Sequence, residues 1–220
     1  MSARAVFLDM DGTVTPLNTG RVMAETLWKN GHLPLHRMAG IWVLLARYKL
    51  GLVRMERIME GWIEQEAGNP VAPVEELCRD LAERVVIPTL FEEARAAITR
   101  HQSAGDSVAL LSASSLHMIE PIAEALGVEF ALGTHVHIQD GVYTGTYDKP
   151  VCFGEGKIVW AEQFCESHGL RLEDSVFYTD SITDRPLLER VGEPVAVNPG
   201  PRLRRWARQS GARVLRWGGV

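Results

Sequence analysis

Asp9 and Asp11 stand two residues apart directly behind the apolar run Val6-Phe7-Leu8, in the stretch Val6-Phe7-Leu8-Asp9-Met10-Asp11-Gly12-Thr13-Val14-Thr15. On extended backbone, side chains two apart point the same way, so both carboxylates project into one crevice. In an open parallel sheet, ligands bind just beyond the carboxyl ends of strands, which is where these two acids fall. With ordinary carboxyl pKa values near ~3.9 both are ionised at neutral pH, and their repulsion calls for a cation beside them. A hard, oxygen-seeking ion such as Mg²⁺ suits such a pair. Gly12 lets the backbone turn, and Thr13 offers a hydroxyl and an amide to whatever the ion holds. Taken alone, Asp-x-Asp-Gly reads equally well as an Asx turn leading into a strand.

Phosphoryl transfer through a metal-held carboxylate needs a nucleophile, a proton donor, donors for the phosphate oxygens and further acids for the ion. Three more segments offer them. Ser112 closes a second apolar run, Val108-Ala109-Leu110-Leu111, and can donate to a phosphate oxygen; Ser114 and Ser115 precede a helix, whose free amides form an anion site or whose end they simply cap. Lys157 follows Gly154-Glu155-Gly156 in the first turn of a helix, where the dipole disfavours a cation and an anion must compensate. Asp180 and Asp184, in Tyr178-Thr179-Asp180-Ser181-Ile182-Thr183-Asp184, again put acid at a strand end. Asp180 is placed for the metal, and Asp184 for a metal-bound water, for Lys157 or for a helix cap.

The elements that must position these groups follow from periodicity. Between about Arg21 and Val86 the pattern is helical almost throughout, with apolar stripes at Val22, Leu27, Trp28, then Ile41, Leu44, Leu45, Tyr48, then Met55, Ile58, Met59, Trp62, punctuated by Gly31, Gly51 and Gly68-Asn69-Pro70. Four helices without a strand form a unit inserted behind the first strand. The apolar run Met38 to Ala46 is too short to cross a bilayer and is expected to be a buried helix. Thr89 and Glu92 read as a capping box ahead of a helix to about His101. Strands and helices then alternate: strand 108–112, helix 116–126, strand 128–132, a hairpin turning at Asp140-Gly141, helix 156–168, strand 176–178, a short helix 185–190 and strand 194–197. That alternation predicts a parallel α/β sheet with right-handed crossovers.

The composition fits this reading. Of 220 residues, 46% are hydrophobic and 23% charged, and the formal charge is −5, ordinary for a globular chain and unsuited to general nucleic-acid binding. The arginines at 202, 204, 205, 208, 213 and 216 read as the solvated face of a terminal helix with Trp206 turned inward. Three widely spaced cysteines, Cys78, Cys152 and Cys165, suggest neither a disulfide framework nor a zinc site. Met1-Ser2-Ala3-Arg4 runs into the first strand without a signal pattern, so a cytoplasmic protein without stable membrane insertion is expected. His135 and His137 share a strand face at metal-ligand spacing, but no third ligand is evident and they read as ordinary hairpin residues.

In order and rough spacing, Asp9-x-Asp11-Gly12-Thr13, Ser112, Lys157 and Asp180-x-x-x-Asp184 resemble the four motifs of the haloacid dehalogenase superfamily, across essentially the whole chain. The helical insert and Ser112-Ala113-Ser114 resemble subfamily IB, the branch that contains phosphoserine phosphatase. The resemblance implies a Rossmann-like, doubly wound parallel sheet (1–15 and 87–220) with an inserted all-helical cap of the C1 type (16–86). It implies a phosphomonoester hydrolase in which Asp9 attacks phosphorus and becomes an aspartyl-phosphate while Asp11 protonates the leaving alkoxide and then activates water. Mg²⁺ is held by Asp9, the carbonyl of Asp11 and Asp180, with Asp184 in support, and Ser112 and Lys157 bind the phosphoryl oxygens. Gly12, Thr13 and Ser114 complete the phosphate pocket. An acid at Asp11 also argues against dehalogenation, where no alkoxide needs a proton.

For the substrate's amine the branch uses a glutamate nine residues after the nucleophile, where this chain has Asn18. For its carboxylate it uses an arginine in the cap, with Arg57 as counterpart and Arg54 and Arg47 as rivals. Trp42, Tyr48 and Trp62 either line a larger apolar pocket or pack the cap core. The expected partner is a small phosphorylated metabolite, and the expected assembly is a monomer or homodimer. A phosphotransferase using the same intermediate is the enzymatic alternative. A receiver-type signalling protein is the other, and the insert counts against it.

Overall fold

A computed structural model of the chain describes residues 3–29, 40, 43–44, 47 and 52–219. Its centre is a six-stranded parallel sheet in the order β3-β2-β1-β6-β7-β8, built from β1 (Ala5–Leu8), β2 (Ser107–Leu111), β3 (Phe130–Leu132), β6 (Val176–Thr179), β7 (Glu193–Val197) and β8 (Arg213–Leu215). Between β3 and β6 the chain makes an antiparallel hairpin, β4 (Val136–Gln139) and β5 (Val142–Tyr147). Its turn is the expected Asp140-Gly141, with φ of 51° and 75°, the two left-handed residues that match the twist of a two-residue hairpin.

The sheet is covered on both faces because its strands alternate between two cores. Val6 and Leu8 pack with Cys78 and Leu81 of α3 (Ala72–Leu81), Ala94 and Ile98 of α4 (Glu92–Ser103), and Ile119 and Ile122 of α5 (Leu116–Leu126). Ala5 and Phe7 face the other way, toward Ala161 and Phe164 of α6 (Gly156–Ser167), Leu187 of α7 (Arg185–Leu188) and Leu203 of α8 (Pro201–Ser210). Burying each such large side chain stabilises the fold by about 1.5–3 kcal/mol. The expected doubly wound α/β sheet is therefore present. It has its switch point at β1, where one neighbour, β2, lies toward β3 and the other, β6, leads to β7 and β8.

Of the inserted helices, α1 (Thr19–Lys29), α2 (Met55–Gln65) and α3 are described. The expected stripe Ile41, Leu45 and Tyr48, most of the apolar run 38–46, Gly31, Gly51 and Trp42 lie outside the described residues. The insert is not uniform: α3 shares the buried cluster of β1 and packs on α5, so no break in packing marks its end at Val86.

Two local expectations are corrected. Thr89 does not cap α4; its hydroxyl bonds the Val86 carbonyl at 2.8 Å and Thr15 Oγ1 at 2.7 Å, because the 3₁₀ turn Ile87–Thr89 aims it back toward the segment after β1. Arg213 does not continue the terminal helix. It opens β8, a three-residue edge strand hidden from periodicity by its length and its arginine. The basic face of α8 is solvated, with Leu203, Trp206 and Ala207 turned inward. All three cysteines are free and buried. No described helix is long and apolar enough to cross a membrane.

Candidate active site

The carboxyl ends of β1, β2 and β6 converge on one cavity of about 350 Å³ whose lining includes Asp9, Asp11, Gly12, Asn18, Ser112, Lys157, Asp180 and Asp184. Parallel register brings them there: Leu8 pairs with Leu110 and with Tyr178, so Asp9, the residues after Leu111 and those after Thr179 leave the sheet at one level. Lys157, from the first turn of α6, is 2% exposed and puts Nζ 2.7 Å from Asp9 Oδ1 and 2.9 Å from Asp184 Oδ2. These are the anions that offset its unfavourable position on the helix dipole. Asp184 Oδ2 also accepts from Thr179 Oγ1 at 2.7 Å. Asp184 starts α7 but caps nothing with its side chain, which is spent on holding Lys157.

Asp11 is fixed differently. Its Oδ2 accepts from both the amide and the hydroxyl of Thr19, each at 3.1 Å, at the start of α1. Thr19 has one hydroxyl proton and gives it to Asp11, so Ser114 Oγ, 2.7 Å away, donates to Thr19. Ser114 thus reaches the site through Thr19. The other oxygen, Asp11 Oδ1, is buried and has no hydrogen-bond partner among the described residues. Gly12, at φ +75°, carries the chain so close to Asp180 that a Cβ there would collide with the Asp180 carboxylate. Thr13 Oγ1 accepts the Asp180 amide at 2.9 Å, tying the loop after β1 to the loop after β6.

Ser112 is buried, with its amide on the Leu132 carbonyl and its hydroxyl accepting the Ser114 amide at 3.2 Å. Asn18 lines the cavity, but its Oδ1 caps α1 by accepting the Arg21 amide at 2.9 Å. Arg57 is not brought to the site: its side chain is 80% exposed, with Glu60 at 3.8 Å, and Arg54 pairs with Glu56. Trp62 is exposed. Thr19, Thr179 and Phe153, which contributes a wall, are site residues that the sequence reading missed; a lone threonine or phenylalanine carries no spacing signal. A larger surface cleft of about 580 Å³ beside α6 is lined by residues whose charges meet in ion pairs, Arg190 with Glu162 and Arg171 with Glu173, and it holds none of these groups.

Among the described residues, four carboxyls surround a single ammonium. Burial pushes Asp9 up to about 8, with Lys157 opposing and Asp184 adding to the rise; burial and Asp184 likewise push Asp180 up to about 6. Burial raises Asp11 against the two Thr19 bonds. Burial works against the Lys157 ammonium, but Asp184 and Asp9 outweigh it and hold the group protonated. Among the described residues neither Asp11 nor Asp180 has an ion-pair partner. Oxygen donors in excess of charge, and a glycine that leaves room beside the Asp180 carboxylate, fit a hard divalent cation.

A family model described as haloacid dehalogenase-like hydrolase matches residues 6–189. The chain is 33% identical over 216 residues to a protein of Mycobacterium tuberculosis named a probable phosphatase, covering 96% of this chain and 74% of that one. It is 29% identical over 220 residues to a histidinol-phosphatase of Neisseria meningitidis, covering 98% and 99%. A solved phosphoserine phosphatase, trapped as an analogue of a phospho-aspartyl intermediate, superposes with a TM-score of 0.67 at 20% identity over 98% of this chain and 93% of that one. That last likeness is one of fold.

Proposed function

Because the chain belongs to the haloacid dehalogenase-like hydrolases and is a phosphoric monoester hydrolase, we propose that it cleaves a small phosphomonoester through an aspartyl-phosphate formed on Asp9. Lys157 holds Asp9 Oδ1 and opposes the effect of burial, which favours the ionised carboxylate without fully offsetting the rise, and it leaves Oδ2 to form the bond to phosphorus. As the ester P–O bond breaks, the leaving oxygen takes a proton from Asp11. Oδ2 of Asp11 is saturated by Thr19, so the proton resides on Oδ1, the buried atom without a partner. In the second half Asp11 Oδ1 takes a proton from water as the water oxygen bonds to phosphorus, and Asp9 leaves as free carboxylate with inorganic phosphate as product. Ser112 and Lys157 donate to the phosphoryl oxygens, and Ser114 supports Asp11 through Thr19.

Asp9, the Asp11 carbonyl and Asp180 would hold Mg²⁺, with Asp184 behind them. Bound there, the ion supplies neutralisation of charge on the phosphoryl oxygens. The helices inserted after β1 act as a cap, a reading supported at the Gly154 loop, where a Cβ would stand 3.9 Å from Glu56 Oε1 at the start of α2.

The observation that carries this reading is the pairing, across one cavity, of a lysine-held carboxylate at Asp9 with the unpartnered Asp11 Oδ1. The test is a phosphomonoester panel with Mg²⁺ that includes an aryl phosphate, phosphoserine and histidinol phosphate. Asp9→Asn is expected to lower turnover on the order of 10⁴-fold or more, as loss of a nucleophile does. Undiminished turnover in that variant, or none on any ester with the wild-type protein, overturns the proposal.

A further inference from the structure

Away from the cavity, His135, His137 and Asp148 each turn one ligand atom inward, all within 4.8 Å of one another. His135 and His137 lie two apart at the start of the hairpin, and Asp148 follows its far strand, held opposite by its amide on the His135 carbonyl at 2.9 Å. The carboxylate meets His135 Nδ1 at 2.9 Å through Oδ2 and His137 Nε2 at 2.9 Å through Oδ1.

The hydroxyls of the facing strand decide where the proton of His137 sits. Thr144 gives its only hydroxyl proton to the His137 carbonyl, 3.1 Å away. In the 2.7 Å contact between Thr144 and Thr146 the proton must therefore come from Thr146. Thr146 Oγ1 is then left as an acceptor for His137 Nδ1 at 2.9 Å, so Nδ1 carries a hydrogen. In the neutral ring Nε2 is consequently bare, and it points a lone pair at a carboxylate oxygen. Two lone pairs at that distance need a positive centre shared between them, either a second ring proton or a metal ion. An oxygen that accepts the other ring N–H from behind, as Thr146 does here, is the kind of outer support that fixes the tautomer of a metal-binding imidazole.

We propose that His135 Nδ1, His137 Nε2 and an Asp148 carboxylate oxygen form a site for one divalent transition-metal ion of the Zn²⁺ class, four-coordinate with a water. Two imidazoles and one carboxylate suit a borderline-soft ion and suit Mg²⁺ poorly, so the site is chemically distinct from the carboxylate cavity. Its ion clasps the open end of the hairpin. The other end carries the insert, whose Gly68 and Val71 amides bond the Tyr143 and Gly141 carbonyls at 2.8 and 3.0 Å. The ion therefore stiffens the strands against which the cap chain lies.

The test is titration of chelator-treated protein with Zn²⁺ by calorimetry and with Co²⁺ by visible absorption, with Mg²⁺ in excess to occupy the carboxylate cavity. One Zn²⁺ per chain and a four-coordinate Co²⁺ spectrum are expected, unchanged in Asp180→Asn. His137→Ala should abolish that spectrum, and Thr146→Val, which leaves all three ligands, should weaken binding on the order of 10-fold. Absence of binding, equal binding by wild type and His137→Ala, or a His137 ring that stays imidazolium by NMR with Zn²⁺ present would each show that the cation is only a proton and overturn the proposal.

Discussion

The strand-end cavity and the helices inserted after β1 treat charge in opposite ways. In the cavity the charged groups are largely buried, and beside short links such as Thr19 to Asp11 they are tied together by bonds that span the chain: Lys157 to Asp9 across 148 positions, the Asp180 amide to Thr13 across 167. Among the described residues of the insert, the arginine ion pairs are local and exposed, Arg21 with Glu25, Arg54 with Glu56, Arg57 with Glu60. Such exposed pairs add little to stability and fix side chains weakly, whereas a buried pair that loses one partner leaves a charge stranded. The contrast teaches where each task resides. On the proposed mechanism, the reaction is held by buried bonds that span the chain, and we propose that discrimination among substrates falls to the weakly fixed side chains of the insert.

The strongest way to break this contrast is at Lys157. Lys157→Met keeps most of the length of the side chain and removes the positive charge that Asp9 and Asp184 pair with. A fall in kcat/KM on the order of 10³-fold is expected, the scale of losing a charged donor to a developing phosphoryl charge. Steady-state kinetics on an aryl phosphate measures it, and a fall of less than tenfold would mean that the cavity does not depend on its buried pair.

The excess of acid also makes a pH signature. The pKa of Asp9, about 8, and that of Asp180, about 6, both lie above the ordinary 3.8 of the unfolded chain. The folded, metal-free protein therefore holds more protons than the unfolded one. The stability these groups contribute is complete below about 4 and is lost as pH rises through 6 and then 8. Thermal unfolding without divalent ions should show Tm falling across that window by several degrees, and Mg²⁺ should recover more at pH 8 than at pH 5. A Tm indifferent to pH and to Mg²⁺ would contradict the grouping of Asp9, Asp11 and Asp180 as a cation site.

A smaller effect is expected at Thr19, which bridges the two regions by starting α1 while holding Asp11. Thr19→Val removes the hydroxyl bond but keeps the amide. The lost bond opposed the rise of Asp11, so its pKa should climb further, and the alkaline limb of kcat/KM should move upward by under about one unit with roughly tenfold lower activity. A loss of activity with an unmoved limb would make Thr19 merely structural.

What could be read from the sequence follows the same division. Asp9, Asp11, Lys157, Asp180 and Asp184 announce themselves because each is a charged residue at the end of an apolar run or beside glycines, a placement that plain packing does not favour. The sheet was legible for the same reason, since its strands are short apolar blocks. Thr19 and Thr179 were not, because a hydroxyl that positions an acid looks like any other threonine. β8 was hidden by its arginine, and the third partner of His135 and His137 by hairpin register, which sets Asp148 opposite them from eleven residues beyond His137. Nor could the pattern show that α3 belongs to the packing of the sheet, since an apolar helix face does not say which neighbour it meets.

The least effect is expected at Arg57, and it sharpens the comparison most. The resemblance to subfamily IB makes this arginine the contact for a substrate carboxylate, yet here its guanidinium stands in solvent beside Glu60. If the insert's charges stay where they are while the cavity does its chemistry, Arg57→Ala should change kcat/KM by less than about threefold on every ester, because an exposed pair couples weakly to anything at a distance. The measurement is a pair of matched substrates, one with a carboxylate and one without. A loss confined to the carboxylate-bearing ester, seen in KM rather than kcat, would show that α2 moves on binding and carries Arg57 to the cavity. The weakly fixed charges of the insert would then be the means of selection.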